Sequence, residues 1–187
     1  MKKFAVATIV AASLVSFSAA AEQSPSFDFV SLNYLNNDTV IGKVEGFDIK
    51  ANVSIMNGFF AETDLSRITK SGNTLLSGDF GIGYGYAVLP STALVASAGL
   101  THNRLSPKGL KTITDSGQYA TLGVRSTILH DSLELGLRVN RHWTDISETS
   151  YTASARYFLM DQLSVELGYD YVDSDLKAYN LGVAYHF

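Results

Sequence analysis

Charged residues recur in this chain at even spacings within stretches that otherwise alternate with apolar ones. Asp48 and Lys50 lie two apart, as do Glu62 and Asp64, while Glu134 and Arg138 lie four apart, as do Glu166 and Asp170. Asp79, Arg125 and Arg156 complete a set of seven acids and four bases. On an extended chain successive side chains point to opposite sides, so even spacing places charges on one face. Two kinds of chemistry suit such a face: a paired network that fills a confined space, or the lining of a narrow, weakly cation-selective pore. Arg138 is expected to pair with Glu134, Glu166 or Asp170. A second group, Arg67, Lys70, Arg104, Lys108 and Lys111, is basic throughout and has the chemistry to hold phosphates by charge-assisted hydrogen bonds.

Catalytic sets are weaker. His130-Asp131-Ser132 has the residue types of a nucleophile relay, but reads as a turn in which Asp and Ser bond the local backbone. His142 has Thr144 two residues on and no carboxylate partner that the sequence positions. His102 and His186 read as wall residues. Gly81, Gly83 and Gly85 alternate on one strand, which suits room for opposing side chains rather than a phosphate loop. No metal-ligand spacing occurs, and the absence of cysteine removes disulfides, thiolate ligands and a Cys nucleophile. The reading is a non-enzyme with no catalytic residue, metal or cofactor.

The elements that must position these charges are strands. Phe47, Ile49, Ala51, Val53 and Ile55 alternate with Asp48, Lys50, Asn52 and Ser54. Asn57-Gly58 then suits a hairpin turn, and the chain returns through Phe59, Ala61, Thr63 and Leu65. The pattern repeats to the end. An earlier strand is expected over Phe27 to Leu35, with Asn36-Asn37-Asp38 opening a loop to about Glu45. Arg67 is expected to end the third strand, with Lys70 in the loop beyond it. Arg104 is expected to end the fifth and to open the longest irregular stretch, to Asp115, which holds Lys108 and Lys111. Tight turns near Asn57, Pro90, Asp131 and Asp161 recur every 30 to 41 residues, each interval holding a strand out and a strand back. With two termini at the same end, that makes ten strands, and eight is the alternative. The fold class is all-β: a closed, antiparallel, up-and-down barrel.

The first 21 residues read as a secretory signal peptide cleaved after Ala21, with Lys2 and Lys3, an apolar run from Phe4 to Val15, and Ala19-Ala20-Ala21. Residues 22–187 then form one domain. Without Lys2 and Lys3, 12 basic residues face 18 acidic ones, a formal charge of −6 that argues against nucleic acid as a partner. No later apolar run reaches the length of a spanning helix, about 20 residues. One strand face carries the bulky apolar residues and the other the charges, glycines and serines. Opposed charges suit a barrel lumen, whereas one at mid-bilayer on the lipid side costs about 2–4 kcal/mol. Tyr34, Phe47, Trp143, Tyr151, Tyr171 and Tyr179 fall at one set of strand ends and Phe59, Tyr86, Tyr157, Tyr185 and Phe187 at the other. Two aromatic girdles around an aliphatic band mark a transmembrane barrel.

The final stretch Tyr179, Leu181, Val183, Tyr185 and Phe187, alternating with Asn180, Gly182, Ala184 and His186, resembles the C-terminal signal of bacterial outer-membrane barrels. With the leader and the alternating strands, the whole mature chain resembles the OmpA/OmpX/Ail-type "porin family" superfamily. The ten-strand count departs from its eight-strand members. The resemblance implies a Gram-negative outer-membrane location, outer-membrane lipid and lipopolysaccharide as surroundings, and the barrel assembly machinery as a partner that reads the last strand. An extracellular protein partner is left open. Function is expected to be structural or surface-interacting, with lipopolysaccharide contact assigned to Arg67, Lys70, Arg104, Lys108 and Lys111. The alternative is a small, weakly cation-selective channel.

Overall fold

A computed structural model describes residues 25–39, 42–145, 147–172 and 176–187. The expected leader and its cleavage after Ala21 lie outside the described residues, as does the connection through Asp173, Ser174 and Asp175.

The described chain forms ten strands: β1 (Phe29–Thr39), β2 (Gly42–Met56), β3 (Phe59–Lys70), β4 (Asn73–Leu89), β5 (Thr92–Ser106), β6 (Ile113–Ile128), β7 (Leu133–Trp143), β8 (Glu148–Met160), β9 (Leu163–Val172) and β10 (Leu176–His186). Each pairs antiparallel with its sequence neighbours, and β1 pairs with β10 from Phe29↔His186 to Asp38↔Lys177, which closes the barrel. Closure removes the unpaired sheet edge that hydrocarbon does not tolerate.

Turn chemistry sets the hairpins. Asn57-Gly58 and Ser71-Gly72 each place two successive residues at positive φ, the backbone twist that two-residue hairpins require. The turns at Asn57, at Pro90, between Leu129 and Ser132 and at Asp161 share one end of the barrel with Phe29 and His186. We call this the turn end and the opposite one the loop end.

The pleat separates two surfaces. Leu32, Ile49, Phe80, Ile82, Leu100, Leu122, Leu137 and Leu167 face outward and are exposed, while Ser31, Asn33, Asp48, Glu134, Arg156 and Glu166 face inward and are buried. A water-soluble barrel has the reverse arrangement. The outward aromatics Tyr34, Phe47, Trp143, Tyr151 and Tyr179 lie toward the loop end, and Phe59, Tyr86, Tyr157, Tyr185 and Phe187 toward the turn end.

Four boundaries differ from expectation. Asn36, Asn37 and Asp38 do not open a loop. They continue β1, paired with Glu45, Val44 and Lys43 on one side and Tyr179, Ala178 and Lys177 on the other. Polar side chains are tolerated beyond the apolar band, and continued pairing satisfies the backbone. For the same reason Lys70 closes β3, β5 runs past Arg104 to Ser106, and only 107–112 is irregular. Phe27, expected to begin the first strand, instead belongs to a segment ahead of β1 that turns into the lumen.

Candidate functional site

At the turn end the inward row of β6, β7, β8 and β9 supplies a chain of ion pairs. Arg125 donates to Glu134 from Nε at 3.1 Å and from Nη2 at 2.7 Å, a two-point fork. Arg156 reaches the same Glu134 through Nη1 at 3.4 Å and donates from Nη2 to Glu166 at 2.7 Å. Glu134 and Arg156 are directly opposite across β7 and β8, and Arg156 and Glu166 across β8 and β9. Two guanidinium groups and two carboxylates therefore balance in a buried setting, their side chains no more than 11% exposed.

Aromatic rings cover this chain from the turn end. Phe29 lies 4.1 Å from the Arg156 guanidinium and Phe27 lies 4.7 Å from that of Arg125. Phe27 also stacks on Phe60, with centroids 4.6 Å apart and planes within 10°. The Ser26 carbonyl accepts a 2.8 Å hydrogen bond from Arg125 Nη2, and Pro25 is buried. The alternate glycines of β4 make the room: a Cβ at Gly81 would meet the Tyr119 hydroxyl, one at Gly83 the Phe60 ring, and one at Gly85 the Phe27 ring. His186, also inward, shares a 2.9 Å hydrogen bond with Ser164 Oγ beside the Phe29 and Phe158 rings.

Above this layer a cavity of about 310 Å³ extends toward the loop end. Seven carboxylates line it (Asp48, Glu62, Asp64, Asp79, Glu148, Glu166, Asp170) against Lys50, Arg138 and Arg156. Most of these acids are met by neutral or singly charged partners. Tyr119 donates to Glu62 at 2.7 Å, Asn33 to Asp48 at 2.6 Å, and Thr152 to Asp170 at 2.5 Å. Lys50 lies 3.4 Å from Asp48. Asp64 and Asp79 are directly opposite each other across β3 and β4, a like-charge pairing that sheets normally avoid.

All the inward charges expected from spacing line this cavity or the small one beneath it. Two details correct the sequence reading. His142 does have a positioned carboxylate: its Nε2 lies 3.0 Å from Asp79 Oδ2, across the lumen from β7 to β4. Strand alternation predicts faces but not contacts across the interior. Arg138 forms no ion pair among the described residues, because Glu134 and Glu166 are engaged by Arg125 and Arg156 and Asp170 by Thr152 and Asn180. Phe27 and Phe60 were not singled out by sequence. The signal that marks them is the bulk of Phe60 at an inward position opposite Gly83.

His130-Asp131-Ser132 occupies the β6–β7 turn, with Leu129, His130 and Asp131 all at positive φ and the Ser132 N–H bonded to the Leu129 carbonyl. The basic group is partly gathered. Arg67, Leu76 and Arg104 are in one register row on the outward face. The Lys108 N–H donates to Asn73 Oδ1 at 2.9 Å, and its side chain covers Gly72. Lys70 leans the other way, toward Gly42, and Lys111 is exposed farther along the loop. Outward His102 meets Ser116 Oγ at 2.7 Å. On β10, Tyr179, Leu181, Val183 and Tyr185 face outward with Phe187 beyond them, and the Phe187 N–H bonds the Asp28 carbonyl at 3.3 Å.

No protein-family model matches the chain, and no curated protein matches it by sequence. Solved structures match its fold. A KdgM porin in complex with disordered oligogalacturonate is 11% identical, covers 85% of this chain and 99% of its own, and gives a TM-score of 0.51. A NanC porin is 8% identical over 84% of this chain and 100% of its own, with a TM-score of 0.51. The β domain of the Bordetella autotransporter BrkA is 9% identical over 85% of this chain and 98% of its own, with a TM-score of 0.52. The chain has the fold of a small outer-membrane β-barrel.

Proposed function

We propose that this protein is a non-catalytic barrel of the bacterial outer membrane with a structural and surface-interaction role, its lumen closed at the turn end. The observation that carries this is the cover of Phe27, Phe29 and Phe60 over the Arg125–Glu134–Arg156–Glu166 chain. An open pore needs a continuous wet path, and this layer interrupts it. The test is ion conductance of the refolded, unmodified protein in planar bilayers. A flat baseline is expected, and discrete single-channel steps would overturn the reading.

The surface role is assigned to the loop end, taken as the outer one. Arg67, Arg104 and Lys108 are grouped on β3–β5 and the following loop, with Lys70 and Lys111 at the flanks. Phosphates of lipopolysaccharide suit that sector, since Arg and Lys supply charge-assisted hydrogen bonds. Lys108→Glu with Lys111→Glu should weaken lipopolysaccharide binding and flatten its salt dependence. Unchanged affinity and salt slope would remove the sector from the proposal. Assembly is assigned to β10, whose outward face from Tyr179 to Phe187 is the segment offered to the assembly machinery.

A second reading, a small cation channel, is favoured by the lining of seven carboxylates against three bases. The KdgM porin is described in complex with disordered oligogalacturonate, a polyanion. The present lining disfavours a polyanion, so the likeness extends to fold and not to that solute.

A further inference from the structure

We infer that the segment Pro25–Asp28 is a displaceable plug, and that withdrawing it turns the closed barrel into a cation-selective conductor. The inference rests on the closed-lumen reading above and adds to it what closes the lumen and what passes when it opens.

The plug is attached unlike a strand. Pro25 to Asp28 belong to no ladder. Arg125 Nη2 holds the Ser26 carbonyl, Asp28 Oδ1 accepts the Ser54 N–H at 2.6 Å, and the Asp28 carbonyl accepts the Phe187 N–H at 3.3 Å. The remaining hold is the Phe27 ring, stacked on Phe60 and seated on Gly85. The ring contacts and three hydrogen bonds can be released together without breaking the strand ladders. Directly behind Phe27 lies a small cavity of about 40 Å³, lined by Phe27, Phe60, Arg125 and Glu134 among others. It shares Phe29, Asn52, Glu62, Arg138, Arg156 and Glu166 with the large acidic cavity. The closure at Phe27 is therefore thin, and beyond it the space is already continuous in lining. The excess of carboxylates over bases fixes the sign of the permeant ion, because fixed charge of one sign in a low-dielectric channel concentrates the opposite sign.

The experiment measures conductance and reversal potential in a potassium chloride gradient for the full chain and two variants. Phe27→Ala with Phe60→Ala removes the stack. Gly85→Ala fills the seat of the Phe27 ring while touching no ion pair, and keeps the test valid where the double variant fails to assemble. Open probability should rise on the order of a hundredfold in the double variant, the worth of one buried ring and its stacking. The rise should be smaller in Gly85→Ala. Potassium should permeate better than chloride, and Asp64→Asn with Asp79→Asn in the opened background should reduce that preference. Folded, heat-modifiable variants that stay as silent as the unmodified protein overturn the plug and leave the closed-barrel reading intact. Unmodified protein that conducts as the variants do overturns the closed-barrel reading itself. Opened variants that prefer chloride overturn the assignment of the permeant ion.

Discussion

At the turn end of the lumen Arg125, Glu134, Arg156 and Glu166 meet opposite charges through planar guanidinium groups, whereas most of the other inward charges meet hydroxyls, amides or an imidazole. Glu134 is shared by two guanidinium groups, and Glu166 takes a third contact. Glu62, Asp170 and Asp79 are answered by Tyr119, Thr152 and His142. The difference follows from water. Beneath the Phe27–Phe60 stack Glu134 is buried and does not border the large cavity, so paired guanidinium groups must offset its desolvation. Beside a 310 Å³ polar cavity a carboxylate keeps part of its hydration, so a neutral donor suffices and an excess of acids is tolerated. One wall, built by one strand pattern, thus carries a structural network at one end and a charged vestibule at the other.

The most damaging break in that contrast is Arg156→Ala. It strands Glu166, leaves Glu134 with Arg125 alone, and takes the cation from beneath Phe29. Removing one partner of a buried pair typically costs about 3–5 kcal/mol. The urea midpoint in detergent should fall accordingly. A fall no larger than that of an exposed loop substitution would mean the two ends are energetically alike.

A milder break is His142→Ala at the loop end. It removes the partner of Asp79, which then stands opposite Asp64 with cavity water in reach. A hydrogen bond to a charged group is worth about 1.5–3 kcal/mol when dry, and water should return much of that here. The loss should be well below that of Arg156→Ala in the same urea titration. If it equals that loss, the loop end is as dry as the turn end.

How much of this was legible depended on what period two can encode. The inward charges, the outward girdles, the hairpin turns and the closure were readable, because each is a local alternation or a turn residue. Asn36-Asn37-Asp38 misled because turn-type residues also suit a strand that has left the apolar band. His142 and Asp79 are 63 residues apart on strands that do not pair, so only the diameter of the closed barrel brings them together. Phe27 was the hardest. Its segment reads as the start of a strand, and its inward turn depends on Gly85, which the sequence offered only as unassigned room. In the basic group, register united Arg67 with Arg104 around Leu76, but side-chain direction drew Lys70 away.

The smallest effect should come from Arg138→Ala, and it sharpens the comparison most because sequence spacing assigned this arginine to the paired network. It sits between the two regimes, lining both cavities. The acids it was expected to hold are engaged elsewhere, and no carboxylate among the described residues lies within ion-pair distance. Its charge acts at longer range on Asp64, Lys50 and Glu166, attracting two and repelling one. Longer-range terms beside water are weak, about 0–1 kcal/mol for a solvated pair. They are screened over about 8 Å at physiological ionic strength. The urea midpoint should therefore move little, and the residual shift should shrink as salt rises. A drop matching Arg156→Ala, insensitive to salt, would place Arg138 in the dry network and move the boundary between the two ends toward the loops.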